Sequence, residues 1–209
     1  MIDYRVYLVT DDPSRYGGDW LDNVRAAVEG GVTCVQYRDT ESAPDVQYAR
    51  ILALRDAIGR VPLIVNNDAE LAKAVKAEGV HVGQGDLPPE AVRAIVGSGC
   101  EIGLSITAPE QVAAIDRRFV DCIGIGPVFD ARKTKADAAA AMGPDGLREI
   151  VRLAPDLANC AIGGITLENA GEVIAAGAKG LAVVSAYSKS EDPHAVARKF
   201  RVLFDRCGQ

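Results

Sequence analysis

The sequence predicts an α/β protein, a single (β/α)8 TIM barrel spanning residues 1–209 with no second domain and no linker. Eight short, uniformly apolar and β-branched runs recur along the chain, and each is followed by a stretch with helical spacing of its apolar residues. Runs that short and that uniform suit strands buried on both faces, as in parallel sheets. Uninterrupted alternation of strand and helix demands a parallel sheet. Eight units close it into a barrel at about 26 residues per unit, leaner than the average for (β/α)8 barrels. An open doubly wound sheet of five or six strands would leave two units over.

The predicted strands are 6–10, 33–37, 62–66, 79–82, 101–105, 121–125, 159–163 and 180–185. Leu21, Val24, Ala27 and Val28 form the buried stripe of the first helix, and Val46, Ile51, Leu52, Leu54 and Ile58 that of the second. Further helices are expected over 68–77, 88–96, 109–117, 144–153, 166–175 and 193–207. Several of these open on a proline, whose fixed φ and missing N–H cost nothing in a first turn. Gly30-Gly31, Gly79 and Gly177 fall where helix-terminating glycines are expected.

With 23 basic and 29 acidic side chains the net charge is −6, and 48% of the residues are hydrophobic, an ordinary globular composition. The acidic balance argues against nucleic-acid or anionic-membrane partners. No apolar run approaches the ~18 residues needed to span a bilayer, and residues 1–12 lack a signal-peptide pattern, so a cytoplasmic protein is expected. The five cysteines include no Cys-x-x-Cys pair, and four sit in apolar runs. Reduced, buried thiols are therefore expected, with neither structural zinc nor thiol catalysis. The partners implied are small molecules, and self-association into a homo-oligomer is left open.

In such a barrel the chemistry sits at the C-terminal strand ends. Those ends carry Thr10-Asp11-Asp12, Gln36-Tyr37-Arg38-Asp39, Asn66-Asn67-Asp68, Gly83-Gln84-Gly85-Asp86, Ser105, Gly126-Pro127, Gly163-Gly164 and Ser185. One Asn-Asp pair would be an ordinary turn, but this many polar ends converging on one mouth point to a site. Gly163-Gly164 and Val184-Ser185, after strands seven and eight, lie where barrels hold a phosphate against backbone N–H groups. The segment 130–137 carries Arg132, Lys133 and Lys135 and reads as a cationic lid. Asp86, with Asn66, Asn67 and Asp68 near it, suits Mg2+, which takes one or two carboxylates plus substrate phosphates. His81 lies inside a strand and is assigned to core packing, which leaves no histidine at the mouth. A reaction driven by departure of a phosphorylated leaving group fits better than imidazole acid–base chemistry.

Nine strand-end motifs, in order, resemble those of the thiamine-phosphate synthase family. They are Tyr-Leu-Val-Thr-Asp at 7–11, Val-Gln-Tyr-Arg-Asp-Thr at 35–40, Val-Asn-Asn at 65–67, Gly-Val-His-Val-Gly-Gln-Gly-Asp at 79–86, and Ile-Gly-Leu-Ser at 102–105. The rest are Ile-Gly-Ile-Gly-Pro-Val-Phe at 123–129, Thr-Lys-Ala-Asp at 134–137, Ile-Gly-Gly-Ile-Thr at 162–166 and Val-Val-Ser-Ala at 183–186. The resemblance implies a TIM-barrel transferase that joins hydroxymethylpyrimidine diphosphate to a thiazole phosphate and releases diphosphate. It implies that Gln36, Arg38, Thr40, Asn66, Ser105 and Lys135 stand where the family holds the pyrimidine diphosphate, with Arg38, Ser105 and Lys135 in the catalytic positions. Thr134, Gly163, Gly164, Val184 and Ser185 would hold the thiazole phosphate, and Asp86 with Asn67 the Mg2+. The resemblance further implies that diphosphate leaves first and that the thiazole nitrogen traps the resulting pyrimidine carbocation.

Three departures stand out. Thr40 replaces the family's diphosphate-binding lysine, Asn67 replaces a magnesium-binding aspartate, and the lid is one residue longer and lacks the first threonine of its Thr-x-Thr-Lys pattern. All three touch the diphosphate and metal half. Two other readings follow: a thiazole tautomerase, which needs neither of those residues but does need an acid–base group at the mouth, and a non-catalytic binder of phosphorylated ligands.

Overall fold

In the computed structural model, which describes residues 1–132 and 139–207, eight parallel strands close in sequence order, with β8 (Leu181–Val183) hydrogen-bonded to β1 (Val6–Val9). Between them run β2 (Cys34–Tyr37), β3 (Leu63–Asn66), β4 (Gly79–Val82), β5 (Glu101–Ile106), β6 (Cys122–Ile125) and β7 (Ala158–Ile162). The helices are α1 (Trp20–Glu29), α2 (Pro44–Ile58), α3 (Ala69–Ala74), α4 (Pro89–Val96), α5 (Gly143–Leu153), α6 (Ala170–Ala175), α7 (Ser185–Ser188) and α8 (Pro193–Cys207). Every expected strand is present to within one or two residues at its ends.

The period-two alternation of each strand divides the core into two layers. Outward residues, such as Val6 and Leu8, Val35, Leu63 and Val65, Val80 and Val82, and Ile102, Leu104 and Ile106, pack against the helices in one large cluster. Inward residues form a second, smaller cluster around Tyr4, Tyr7, Cys34, Ile64, Cys122, Cys160 and Ala182. Cys34, Cys100, Cys122 and Cys160 are free and buried, as the sequence implied. At the N-terminal end the barrel is plugged by Ile2 and Tyr4. The Ile2 N–H donates to Glu101 Oε1 (2.6 Å) and the Tyr4 hydroxyl to Oε2 (3.0 Å).

The helices start and stop for local reasons. Asp19 accepts from the N–H groups of Leu21 and Asp22 and so caps α1, and Asp68 caps α3 through Leu71 N. Gly31 (φ 113°) and Gly177 (φ 106°) take the left-handed turns after α1 and α6. Gly79 does not: it lies inside β4, where an added Cβ would meet Ile64 at 3.1 Å, and Lys76 (φ 54°) makes the turn instead. The stripe of α2 is Ile51, Leu54, Ala57 and Ile58, while Val46 and Leu52, expected in it, are exposed. The 109–117 segment forms only a 3-10 helix over Pro109–Ala114. Gln111 Oε1 accepts from Thr107 N (2.7 Å), tying the side chain back to the end of β5. Two short elements were not expected: a 3-10 turn at Pro13–Arg15 and α7, which begins at a residue assigned to the last strand.

Two glycines should respond oppositely to alanine. At Gly180 a Cβ would sit 2.2 Å from the Tyr4 carbonyl oxygen, a backbone atom, where the β8–β1 seam begins. Gly180→Ala should destabilise by about 1–3 kcal/mol, the usual range for overpacking. At Gly171, within α6, nothing lies within 4 Å, so Gly171→Ala should stabilise by roughly 0.5–1 kcal/mol. Urea denaturation of the two variants reads both signs.

Candidate active site

At the C-terminal end of the barrel a cavity of about 210 Å³ opens among the strand ends. Gln36, Arg38, Asn66, Ser105, Gly163, Gly164, Val184 and Ser185, eight of the residues singled out in the sequence, line it together. Thr40, Asn67 and Asp86 do not: all three are exposed on the turns after β2, β3 and β4, outside the cavity wall. Thr134 and Lys135 lie outside the described residues, as do Lys133 and the greater part of the expected lid.

The walls are set by the strands. Gln36, on β2, is buried, and its Nε2 donates to the Tyr7 hydroxyl (2.6 Å) from β1, which fixes the carboxamide against the cavity floor. Arg38 follows β2 in a turn stabilised by Asp39. The Asp39 carboxylate accepts from Glu41 N, Ser42 N, the Tyr37 hydroxyl and Arg50 (2.7 Å). Although partial burial opposes it, this set of donors holds the Asp39 carboxyl far below the usual carboxylate range. Arg50 is thereby engaged within the turn, and Arg132 at the start of the lid segment is engaged by Asp130 (2.8 Å).

Asn67 takes a left-handed backbone (φ 63°), a conformation asparagine tolerates better than most residues. One Asp86 oxygen, Oδ2, accepts from Gly83 N (2.7 Å), which closes the turn after β4. Beyond β7, Gly163 (φ 103°) and Gly164 (φ 62°) pack against the segment after β6. An added Cβ would meet Pro127 at 2.5 Å and Phe129 at 2.7 Å respectively, so only glycine fits either position. Asn169, just before α6, fastens this turn, donating to Gly164 O (3.0 Å) and accepting from Thr166 N (2.8 Å).

His81 corrects the sequence reading. It faces inward from β4 and lines the cavity, with Nε2 3.0 Å from Ser105 Oγ. Its ring occupies a slot cut by two glycines: a Cβ on Gly103 would lie 2.3 Å from Nδ1, and one on Gly124 2.7 Å from Cε1. The signal was in the sequence, because glycines at inward positions of two neighbouring strands make room for a large side chain from a third. Burial depresses the imidazole to about 4, against a small opposing effect of Asp86, so His81 is neutral at pH 7.

Geometry defines the class of protein: a (β/α)8 barrel whose C-terminal mouth brings a glycine turn, an arginine and several hydrogen-bonding side chains around one cavity. The thiamine monophosphate synthase family model matches residues 6–187. Over 205 residues the chain is 42% identical to a thiamine-phosphate synthase of Chloroflexus aurantiacus, covering 97% of this chain and 94% of that one. A thiamine-phosphate synthase of Albidiferax ferrireducens is also 42% identical, covering 96% and 92%. Thiamine phosphate pyrophosphorylase from Pyrococcus furiosus superposes with a TM-score of 0.84 at 30% identity, over 98% of this chain and 97% of that chain. The chain belongs to the thiamine monophosphate synthase family.

The His81 assignment has a consequence for stability. Its native pKa lies below the unfolded value of about 6.5, so between pH 6.5 and 4 the unfolded chain binds the extra proton. The stabilisation is present above pH 6.5 and is lost as the pH falls towards 4, by roughly 3 kcal/mol. Urea midpoints across that range, without added divalent cations, should fall less steeply for His81→Asn than for the unchanged protein.

Proposed function

We propose that the protein is a cytoplasmic thiamine-phosphate synthase, a transferase that joins hydroxymethylpyrimidine diphosphate to a thiazole phosphate and releases diphosphate. The observation that carries this reading is one cavity walled by both Arg38 and the Gly163-Gly164 turn, which supports separate places for two anions at one mouth. Gln36, Asn66 and Ser105 hold the pyrimidine between them, with hydrogen-bonding groups on three sides. Arg38 faces the diphosphate and stabilises the charge that develops as it departs. The thiazole phosphate rests at the glycine turn and at Val184 and Ser185, and its ring nitrogen is thereby aimed at the carbon the diphosphate leaves. Thr134 and Lys135 join this assignment on the family resemblance alone.

Asp86 and Asn67 fit Mg2+ as a sparse donor pair. Asp86 keeps one carboxylate oxygen free of the Gly83 N–H, and Asn67 offers an amide oxygen. Among the described residues no group of three or more His, Cys, Asp or Glu side chains could hold a metal alone. That suits an ion that takes its other ligands from water and substrate phosphates. Bound there, it would neutralise charge on the departing diphosphate.

His81 favours a second reading, a thiazole tautomerase, because it puts an imidazole in the cavity. The two are separated by incubating the protein with both substrates and Mg2+. Thiamine phosphate and diphosphate in equal amounts support the synthase. Isomerised thiazole without product supports the tautomerase, and neither product leaves a binder of phosphorylated ligands. In the synthase, Asn67→Asp should lower the Mg2+ concentration for half-maximal rate, and Thr40→Lys should lower KM for the pyrimidine diphosphate. Each should be worth about 1–3 kcal/mol, the scale of a hydrogen bond to a charged group, and calorimetric titration of Mg2+ with inorganic diphosphate reads the first change independently of turnover.

A further inference from the structure

Thr10 and Asp11, at the end of β1, belong to no substrate assignment, yet they are 1% and 3% exposed and stand among only five buried polar or charged residues in the described chain. Burying a hydroxyl and a carboxylate is costly unless each is used. Both are used, in opposite directions around the barrel.

Thr10 turns toward β2. Its Oγ1 accepts from Arg38 N (2.9 Å) and donates to Arg38 O (3.5 Å), while Thr10 N donates to Gln36 O (2.9 Å). A single side chain therefore brackets the peptide groups on both sides of the Arg38 α-carbon.

Asp11 turns toward β8. Its Oδ2 accepts from Ser188 Oγ (3.2 Å), and its Oδ1 accepts from Asp12 N (3.0 Å) and lies 3.5 Å from an Arg15 guanidinium nitrogen. Ser188 is itself 1% exposed and ends α7, whose first residue, Ser185, lines the cavity beside Val184. From α1, Asn23 Nδ2 donates to Tyr187 O (3.2 Å). A four-residue helix has too few internal hydrogen bonds to hold its own shape, so these outside contacts set where it sits. A carboxylate beside an anion site would repel the anion, so Asp11 serves the site as an acceptor that fastens α7 rather than as a ligand.

We infer that Thr10 and Asp11 are positioning residues, one for each half of the substrate pair. Thr10 holds Arg38 for the diphosphate, and Asp11, through Ser188, holds α7 and the Val184-Ser185 turn for the thiazole phosphate. The inference rests on the proposed synthase reading.

The test is steady-state KM for each substrate in Thr10→Val, Ser188→Ala, Asp11→Asn and Asp11→Ala, with folding checked by circular dichroism. Thr10→Val should raise KM for the pyrimidine diphosphate at least fivefold and leave that for the thiazole phosphate within twofold. Ser188→Ala and Asp11→Ala should do the reverse, and Asp11→Asn, whose amide oxygen still accepts from Ser188, should recover part of the loss. If Asp11→Ala fails to fold, Ser188→Ala decides the second arm. Folded variants in which both constants move together, or neither moves, overturn the inference while the synthase reading stands. Absence of thiamine phosphate from the unchanged protein overturns the reading, and the inference with it.

Discussion

An eight-stranded parallel barrel has an interior just wide enough for side chains to fill, so every inward position either fills it or leaves a hole. Here the two ends are treated differently. Toward the N-terminal end the inward residues are large: Ile2, Tyr4, Tyr7 and Ile64, with Cys34 and Cys122 between them. Tyr4 and Tyr7 place their rings 5.7 Å apart, and Glu101 ties the Tyr4 hydroxyl down. On β5 and β6, by contrast, Gly103 and Gly124 present no side chain to the interior. The slot left by the missing side chains of Gly103 and Gly124 is taken by the His81 ring, and His81 and Gly124 line the cavity above it.

Closure makes the C-terminal end a site. Leu8 pairs with Val183 and Val9 with Gln36, so β1 sits between the strand bearing Gln36 and the strand that leads into Val184 and Ser185. Residues more than 170 positions apart in sequence come into hydrogen-bond contact, as Asp11 and Ser188 do. The protein as a whole is acidic, with a net charge of −6, so attraction of anionic substrates has to come from local groups rather than from the overall field. Arg50 and Arg132 are already engaged with carboxylates near the mouth, and Arg38 lines the cavity itself.

The barrel was legible because both faces of its strands are buried, so each strand is written as an unbroken apolar run that no amphipathic surface helix would carry. The cavity wall was legible because its residues cluster at strand ends, and eight of the singled-out residues meet there. What escaped was decided by tertiary context. Val46 and Leu52 carry helical spacing, but α2 turns Ile51, Leu54 and Ile58 to the sheet and leaves those two outside. The helix expected at 109–117 gives way to a 3-10 turn. α7 is four residues long and has no periodicity to read. His81 was assigned to packing because a lone histidine in an apolar strand usually belongs there, and only the glycines across from it reveal the slot that seats its ring at the cavity wall.

The departures at positions 40 and 67 acquire a physical meaning from where they fall. Thr40 and Asn67 are exposed on turns, and neither lines the cavity, so exchanging lysine for threonine and aspartate for asparagine leaves the wall residues and their hydrogen bonds untouched. The left-handed backbone at Asn67 suits either asparagine or aspartate, so the turn itself does not select between them. Relative to the family pattern, one substitution removes a positive charge and the other a negative charge, and the formal charge of the mouth is unchanged. In the proposed reading, shape and net charge are therefore preserved while the local charges assigned to a metal–diphosphate pair are thinned. The glycine turn beyond β7, by contrast, is held by close packing that only glycine permits. The glycine turn therefore rests on steric fit, while Thr40 and Asn67 are exposed on turns where an exchange of side chain leaves the cavity wall in place.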